Sequence, residues 1–157
     1  MRKESKNILV PVDFQEPSMK SAQYALKMAR NLKAEVVLLN IIETPGVLKK
    51  FFESGNHLVK ITEQAKEQLM GMVKMLNEID NGVKVKSMVE RGKRYERILS
   101  VAEEINARMI ILAENHEGDE AEKNLGTTVY HVTLKSSVPV LTIKGMPDEL
   151  PQSIVVP

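Results

Sequence analysis

The sequence predicts an α/β domain in which helices cover both faces of a five-stranded parallel sheet. Three observations support this fold class: apolar runs alternate with amphipathic helical patterns, the alternation is strict, and the clearest runs are apolar on both faces. Strands of that kind are typical of parallel sheets, because helices cover both sides of the sheet. Strict alternation of strand and helix builds such a sheet through right-handed crossovers.

The five strands are predicted from short apolar runs. The run over residues 36–42 is continuous except for Asn40, which indicates a strand that is buried on both faces. In the third strand, Val83 and Val85 alternate with lysines, which indicates one less buried face. The predicted strands are residues 8–10, 36–42, 83–89, 109–113 and 138–143.

The four helices are predicted from apolar residues spaced by threes and fours. The longest predicted helix covers residues 58–79 and ends before Asn81 and Gly82, a pair that is typical of turns. Pro17 precedes the first helix, at a position that an opening helical turn tolerates. The other three helices are predicted over residues 18–32, 95–106 and 127–136.

The composition argues against several classes of function. Twenty-two basic residues face 21 acidic ones, so a formal charge of +1 gives no electrostatic case for binding nucleic acid or membranes. The chain has no cysteine, which excludes disulfides, thiolate catalysis and zinc–thiolate sites and suits a reducing compartment. The first apolar run, residues 8–12, is too short for a signal peptide. We therefore expect a cytoplasmic protein.

The sequence contains none of the common motifs of nucleotide hydrolysis or acyl transfer. It has no Walker loop, no Gly-x-Gly-x-x-Gly after the first strand and no serine-centred nucleophile elbow. Two of the scattered histidines, His57 and His131, fall on predicted helices or their ends, where structural or solvent-exposed roles are expected. We therefore expect no catalytic residue and no resident metal ion.

Candidate binding residues follow from the expected sheet, because ligands bind outside the carboxyl ends of parallel strands. Those ends lead into residues 11–15, 41–44, 90–93 and 113–128. Asp13 could accept hydrogen bonds from an adenine or a ribose, or it could cap the next loop or helix. Gly126, Thr127 and Thr128 are predicted to begin the fourth helix, where free amide groups suit a phosphate. Either threonine could instead cap that helix.

Several segments, in order, resemble the universal stress protein family. They are the opening run ILVPVD (residues 8–13), the turn VERG (89–92), the strand MIILA (109–113) and the ending SVPVLTI (137–143). The resemblance covers residues 6–144. It implies a Rossmann-like fold of the adenine nucleotide alpha hydrolase type and a regulatory or stress-response role. It also implies a homodimer that pairs through the last strand, which begins at Val138 and ends at Ile143.

The resemblance also implies a nucleotide site. Members that bind ATP carry a glycine, two residues, a second glycine, nine residues, and then Gly-Ser or Gly-Thr; Gly126 and Thr127 fit that ending. Counting back puts Ala113 and His116 at the two earlier glycines. The expected ligand is ATP or AMP with Mg²⁺, its adenine near Asp13 and Ile41. The expected site residues are Pro11, Asp13, Ile41, Ala113, His116, Gly126, Thr127 and Thr128.

Departures from that pattern leave other functions open. A glycine lets the backbone approach a phosphate closely, whereas His116 adds a side chain there. The surrounding acidic residues repel a polyphosphate unless a divalent cation lies between them. They are Glu114, Glu117, Asp119, Glu120 and Glu122, against Lys123 alone. The alternative is a ligand-free dimerisation or interaction module with a degenerate nucleotide loop, and a third hypothesis is a nucleotide hydrolase.

The end of the chain suggests an internal repeat. The domain is expected over residues 1–145, and residues 146–157 are expected to form a proline-containing linker and a tail. The final five residues, SIVVP, are similar to the opening strand NILVP (residues 7–11). Two hypotheses follow: the chain is the first half of a tandem protein, or the tail is a strand that pairs with a partner. A chance similarity is the competing explanation.

Overall fold

The structure is a computed structural model that describes residues 6–43, 55–114 and 119–144. Its five strands form one parallel sheet with the order β3-β2-β1-β4-β5. The strands are β1 (Asn7–Pro11), β2 (Glu35–Ile42), β3 (Val85–Arg91), β4 (Ala107–Glu114) and β5 (Val140–Lys144). The predicted fold class is confirmed, whereas the predicted tail strand lies outside the described residues.

Helices cover both faces of this sheet. They are α1 (Glu16–Leu32), α2 (Gly55–Ile79), α3 (Arg94–Glu104) and α4 (Asp119–Lys135). α1 and α2 form one core with the sheet, and α3 and α4 form the other. Side chains of β1 alternate between the cores, since Ile8 and Val10 enter the first and Leu9 enters the second. Within the described ranges, no helix has both the length and the apolar character needed to cross a membrane.

The predicted start of the fourth helix is wrong. The sequence predicts a start at Thr127, but α4 begins at Asp119. Acidic residues are favourable in a first helical turn because of the helix dipole, and Asp119 and Glu120 occupy that turn. Several of the residues that follow are good helix formers. Gly126, Thr127 and Thr128 therefore lie inside the helix and not at its amino end.

Other predicted boundaries shift by one to three residues, as at the start of β3 and the end of α3. β3 begins at Val85, two residues late, and the buried Val83 lies in the turn that precedes the strand. α3 ends at Glu104 and not at Asn106. Asn106 has a φ of 51°, a left-handed conformation that asparagine adopts more readily than most residues. Neither shift changes the order of the elements.

The turn between β3 and α3 depends on Gly92. Its φ is 135°, a conformation that side chains disfavour, and a Cβ atom there would lie 3.0 Å from the Cγ atom of Arg97. Arg97 has little room to move, because its Nη2 atom lies 3.3 Å from Glu90 Oε2 and 3.8 Å from Glu104 Oε1. The turn thus fixes where α3 begins relative to the sheet.

Replacing Gly92 should therefore destabilise the protein. We expect Gly92→Ala to lower the free energy of unfolding by about 1–3 kcal/mol, the usual cost of a disfavoured backbone conformation. Urea unfolding followed by circular dichroism measures this. Gly71→Ala is the matched control, because a Cβ atom there meets nothing within 4 Å. Gly71→Ala should stabilise α2 by about 0.5–1 kcal/mol. Equal effects of the two substitutions would contradict the role given to Gly92.

An ion pair joins the ends of α1 and α2. The Nη1 atom of Arg30 lies 2.6 Å from Asp80 Oδ2, and the Gly82 amide donates to Asp80 Oδ1 over 2.9 Å. Two hydrogen bonds hold the pKa of the Asp80 carboxyl below its usual value. The one from Arg30 has the larger effect, and the one from Gly82 adds to it. Because the pKa is lower in the folded state, this contribution to stability is present above the pKa of an unfolded aspartate, about 3.9. It is lost as the pH falls through the folded value.

Without Arg30, the protein should lose less stability in acid. We expect the free energy of unfolding to fall less between pH 6 and pH 2 in Arg30→Gln than in the wild type. Urea unfolding at a series of pH values measures the difference. Arg108→Gln is the control, because Arg108 is exposed and donates to the Leu32 carbonyl and not to a carboxylate. Identical pH profiles of the wild type and Arg30→Gln would contradict the prediction.

Candidate functional site

A cavity of about 200 Å³ opens at the carboxyl edge of the sheet. It lies above the ends of β1, β2 and β4, where the strand order reverses, because β1 has β2 on one side and β4 on the other. Crevices at such switch points are the usual ligand sites of open α/β sheets. Its apolar walls are formed mainly by Leu39, Ile41, Ile98, Leu112 and Val129.

The cavity brings together most of the residues expected from the sequence. Those that line it are Pro11, Asp13, Ile41, Ala113 and Thr128. Thr127 lies on the exposed side of α4, and Gly126 lies within that helix. His116 lies outside the described residues. The expected phosphate site at a helix start is therefore not present at residues 126–128, because α4 begins earlier.

Asp13 is held in position by its neighbours. Its Oδ1 atom accepts hydrogen bonds from the Gln15 amide at 3.0 Å and from the Ser18 hydroxyl at 2.9 Å. One carboxylate oxygen thus caps the loop before α1, whereas the N-cap residue of the helix is Gln15, which has no side-chain cap. Within the described residues, no hydrogen bond reaches the second oxygen, Oδ2. The carboxylate can therefore accept a hydrogen bond from a ligand without giving up its own support.

The loop that carries Asp13 is strained and tightly held. Phe14 has a φ of 67°, a left-handed conformation that costs a residue with a side chain about 1–2 kcal/mol. Its ring compensates by packing against the core formed with α1 and α2. The buried side chain of Asn40, the polar break noted in the second strand, donates to the Val12 carbonyl over 2.9 Å. Strained residues that the surrounding structure holds in place are common at binding sites.

Arg94 also lines the cavity, although the sequence did not indicate it. It is the first residue of α3 and lines the cavity, together with Ile98 one helical turn further on. Its amide donates to Glu43 Oε1 over 3.0 Å, and its Nη2 atom lies 3.7 Å from Glu43 Oε2. Among the described residues it is the only cationic side chain that lines the cavity. The expected segment, residues 90–93, stops one residue short of it.

Two of the three histidines, His57 and His131, do not line this cavity. His131 lies within α4, as expected, and stacks on Tyr95 with the ring centroids 4.4 Å apart. His57 is an exposed residue in the first turn of α2. In the part of the chain that the structure describes, no three His, Cys, Asp or Glu side chains are grouped so that they could hold a metal ion.

The fold and cavity define an α/β protein with a crevice at the switch point of a parallel sheet. The sequence profile of the universal stress protein family matches residues 4–144. The chain belongs to the universal stress protein family, and the expected resemblance is confirmed.

Similarity to individual relatives supports this assignment. Universal stress protein MJ0577 of Methanocaldococcus jannaschii is 31% identical over 159 aligned positions, which cover 88% of this chain and 94% of that protein. The solved structure of MJ0577 has a TM-score of 0.73 to this structure and covers 92% of this chain and 98% of its own.

Two more distant structures were solved with nucleotides. One is a universal stress protein from Archaeoglobus fulgidus in complex with dAMP, 18% identical, with a TM-score of 0.65 and coverage of 89% of this chain and 98% of its own. The other is a universal stress protein in complex with cAMP, 13% identical, with a TM-score of 0.67 and coverage of 90% and 98%. At these identities the likeness establishes a shared fold.

Proposed function

We propose that this universal stress protein binds an adenine nucleotide, AMP or ATP, in the cavity at the carboxyl edge of its sheet. The observation that carries the proposal is the fixed carboxylate of Asp13 beside apolar walls at the switch point. Apolar walls suit the faces of a base, and the open Oδ2 atom suits a ribose hydroxyl or an exocyclic amino group. Relatives of the same fold that were solved with dAMP and cAMP support the proposal.

The phosphate end of the proposed site differs from the sequence-based expectation. Near Ala113 the cavity offers the Thr128 hydroxyl, and no helix start lies at that position. Acidic residues are frequent in the sequence from 114 to 122. We propose that Mg²⁺ accompanies ATP, because a divalent cation offsets the repulsion between these residues and a triphosphate. AMP carries less charge and should depend less on the cation.

We propose no catalytic step for this site. The protein acts as a regulatory, nucleotide-responsive domain of the stress-response type. We place this activity in the cytoplasm, because a chain without cysteine suits a reducing compartment.

Substitution of Asp13 tests the nucleotide site. We expect Asp13→Ala to weaken AMP binding by about 10- to 100-fold, the range for losing a hydrogen bond to a charged group. Isothermal titration with AMP, and with ATP in the presence and absence of Mg²⁺, measures this. Glu16→Ala is the matched control, because Glu16 is an exposed acid in the same region that pairs with Lys20.

Two outcomes would contradict the proposal. The first is the absence of heat with millimolar AMP and ATP in the wild type. The second is an equal loss of affinity in Asp13→Ala and Glu16→Ala, which would indicate an effect of net charge and not of the site. Either result would favour the alternative of an interaction module without a ligand.

We also propose that the protein forms a homodimer through the outer edge of β5. This strand lies at the end of the sheet order and pairs only with β4 in the described structure. The Ile110 amide donates to the Pro139 carbonyl, so alternation along the strand turns the backbone of Thr142 away from β4. An open edge of this kind favours pairing with a second strand. The pairing requires no nucleotide.

A proline at Thr142 tests this interface. We expect Thr142→Pro to convert a dimer into a monomer, because proline removes an outward amide without removing an amide bonded to β4. Light scattering after size-exclusion chromatography measures the mass. Thr142→Ser is the control and should stay dimeric, and far-UV circular dichroism checks that the proline variant folds. A monomeric wild type, or a dimeric proline variant, would contradict the proposal.

A further inference from the structure

Arg94 lines the cavity and has no role in the nucleotide site as proposed so far. Arg94 and Ile98 both line the cavity and lie one helical turn apart on α3. Ile41, near the end of β2, also lines the cavity and belongs to the same hydrophobic core as Ile98. Among these three lining residues only Arg94 is polar. Ala113 and Thr128 also line the cavity and come from β4 and α4.

Glu43 holds Arg94 at two points. One carboxylate oxygen accepts the Arg94 amide at 3.0 Å, and the other lies 3.7 Å from the guanidinium Nη2 atom. The side chain of Arg94 is 44% exposed and that of Glu43 is 47% exposed. The guanidinium therefore lies at the boundary between the cavity and the solvent. Glu43, which does not line the cavity, holds it there.

The charge around Arg94 argues against a phosphate contact. Glu43 already supplies a negative group to both the guanidinium and the amide that begins α3. A phosphate would have to displace this carboxylate or lie beside it, and like charges at such a distance repel. A neutral base meets no such repulsion. A guanidinium is also planar and weakly hydrated, so it stacks readily on aromatic faces.

We propose that Arg94 closes the cavity over the base of the bound nucleotide, with Glu43 as the residue that holds it there. The base lies between the guanidinium on one side and the apolar surface of Ile41 and Ile98 on the other. Arg94 thus contributes to affinity through the base, and the phosphates extend towards Thr128. This inference rests on the proposed nucleotide site, and it assigns the base end of that site.

A comparison of adenosine with AMP tests the assignment. We expect Arg94→Ala to weaken the binding of adenosine and of AMP by the same factor. That factor is about tenfold, which is typical of a partly exposed cation–π contact. Isothermal titration of both ligands measures the two factors. Arg94→Lys should recover only part of the loss, because an ammonium group has no planar face. Urea midpoints identify any variant whose fold is affected.

A double substitution tests the role of Glu43. We expect Glu43→Ala alone to weaken the binding of adenosine by about threefold, because the arginine is then less well positioned. In the Arg94→Ala background, Glu43→Ala should have no further effect on adenosine. Additive losses would mean that Glu43 acts on the ligand independently of Arg94, which would overturn its assignment as the positioning residue.

Arg91→Ala provides the matched control for a lost positive charge. Arg91 lies at the same edge of the sheet, donates to Thr62 and does not line the cavity, so its replacement should leave both affinities unchanged. A loss confined to AMP in Arg94→Ala would make Arg94 a phosphate ligand and overturn the proposal. Unchanged affinities in that variant would overturn it as well. A wild type that binds neither adenosine nor AMP would refute the nucleotide site itself, which is a distinguishable result.

Discussion

The burial of β1 on both faces is the constraint on which the rest of the structure depends. Ile8, Leu9 and Val10 have no exposed surface, so each side of the sheet needs its own helical layer. α1 and α2 supply one layer, and α3 and α4 supply the other. With β2 and β4 on opposite sides of β1, the two layers separate above its carboxyl end. The cavity is therefore a consequence of how a fully buried central strand is covered.

The two charged side chains that line the cavity come from different parts of the fold. Asp13 comes from the loop after the central strand, and a strained Phe14 and a buried Asn40 hold that loop in place. Arg94 comes from α3, whose start depends on the conformation of Gly92. The positions of Asp13 and Arg94 thus depend on residues that do not line the cavity, so substitutions outside the cavity can change its geometry.

The sequence was sufficient for the fold and for part of the lining of the cavity. Uninterrupted apolar runs mark buried parallel strands, and their carboxyl ends indicated Asp13, Ile41 and Ala113 correctly as neighbours. The start of α4 could not be read in the same way, because Gly126 and its threonines are typical of a helix start whereas Asp119 begins the helix. Arg94 was missed because its position depends on a turn geometry that apolar periodicity does not encode.

The place of β1 in the sheet also bears on how the chain folds during its synthesis. β2 follows β1 closely along the chain, but β4, which pairs with the other edge of β1, begins only at Ala107. A growing chain that has not reached this point carries its central strand with one edge unpaired. Such edges favour association with other chains, and domains with late partners are exposed to it for longer. The order of strands that creates the cavity thus also lengthens the period in which the nascent chain depends on protection from aggregation.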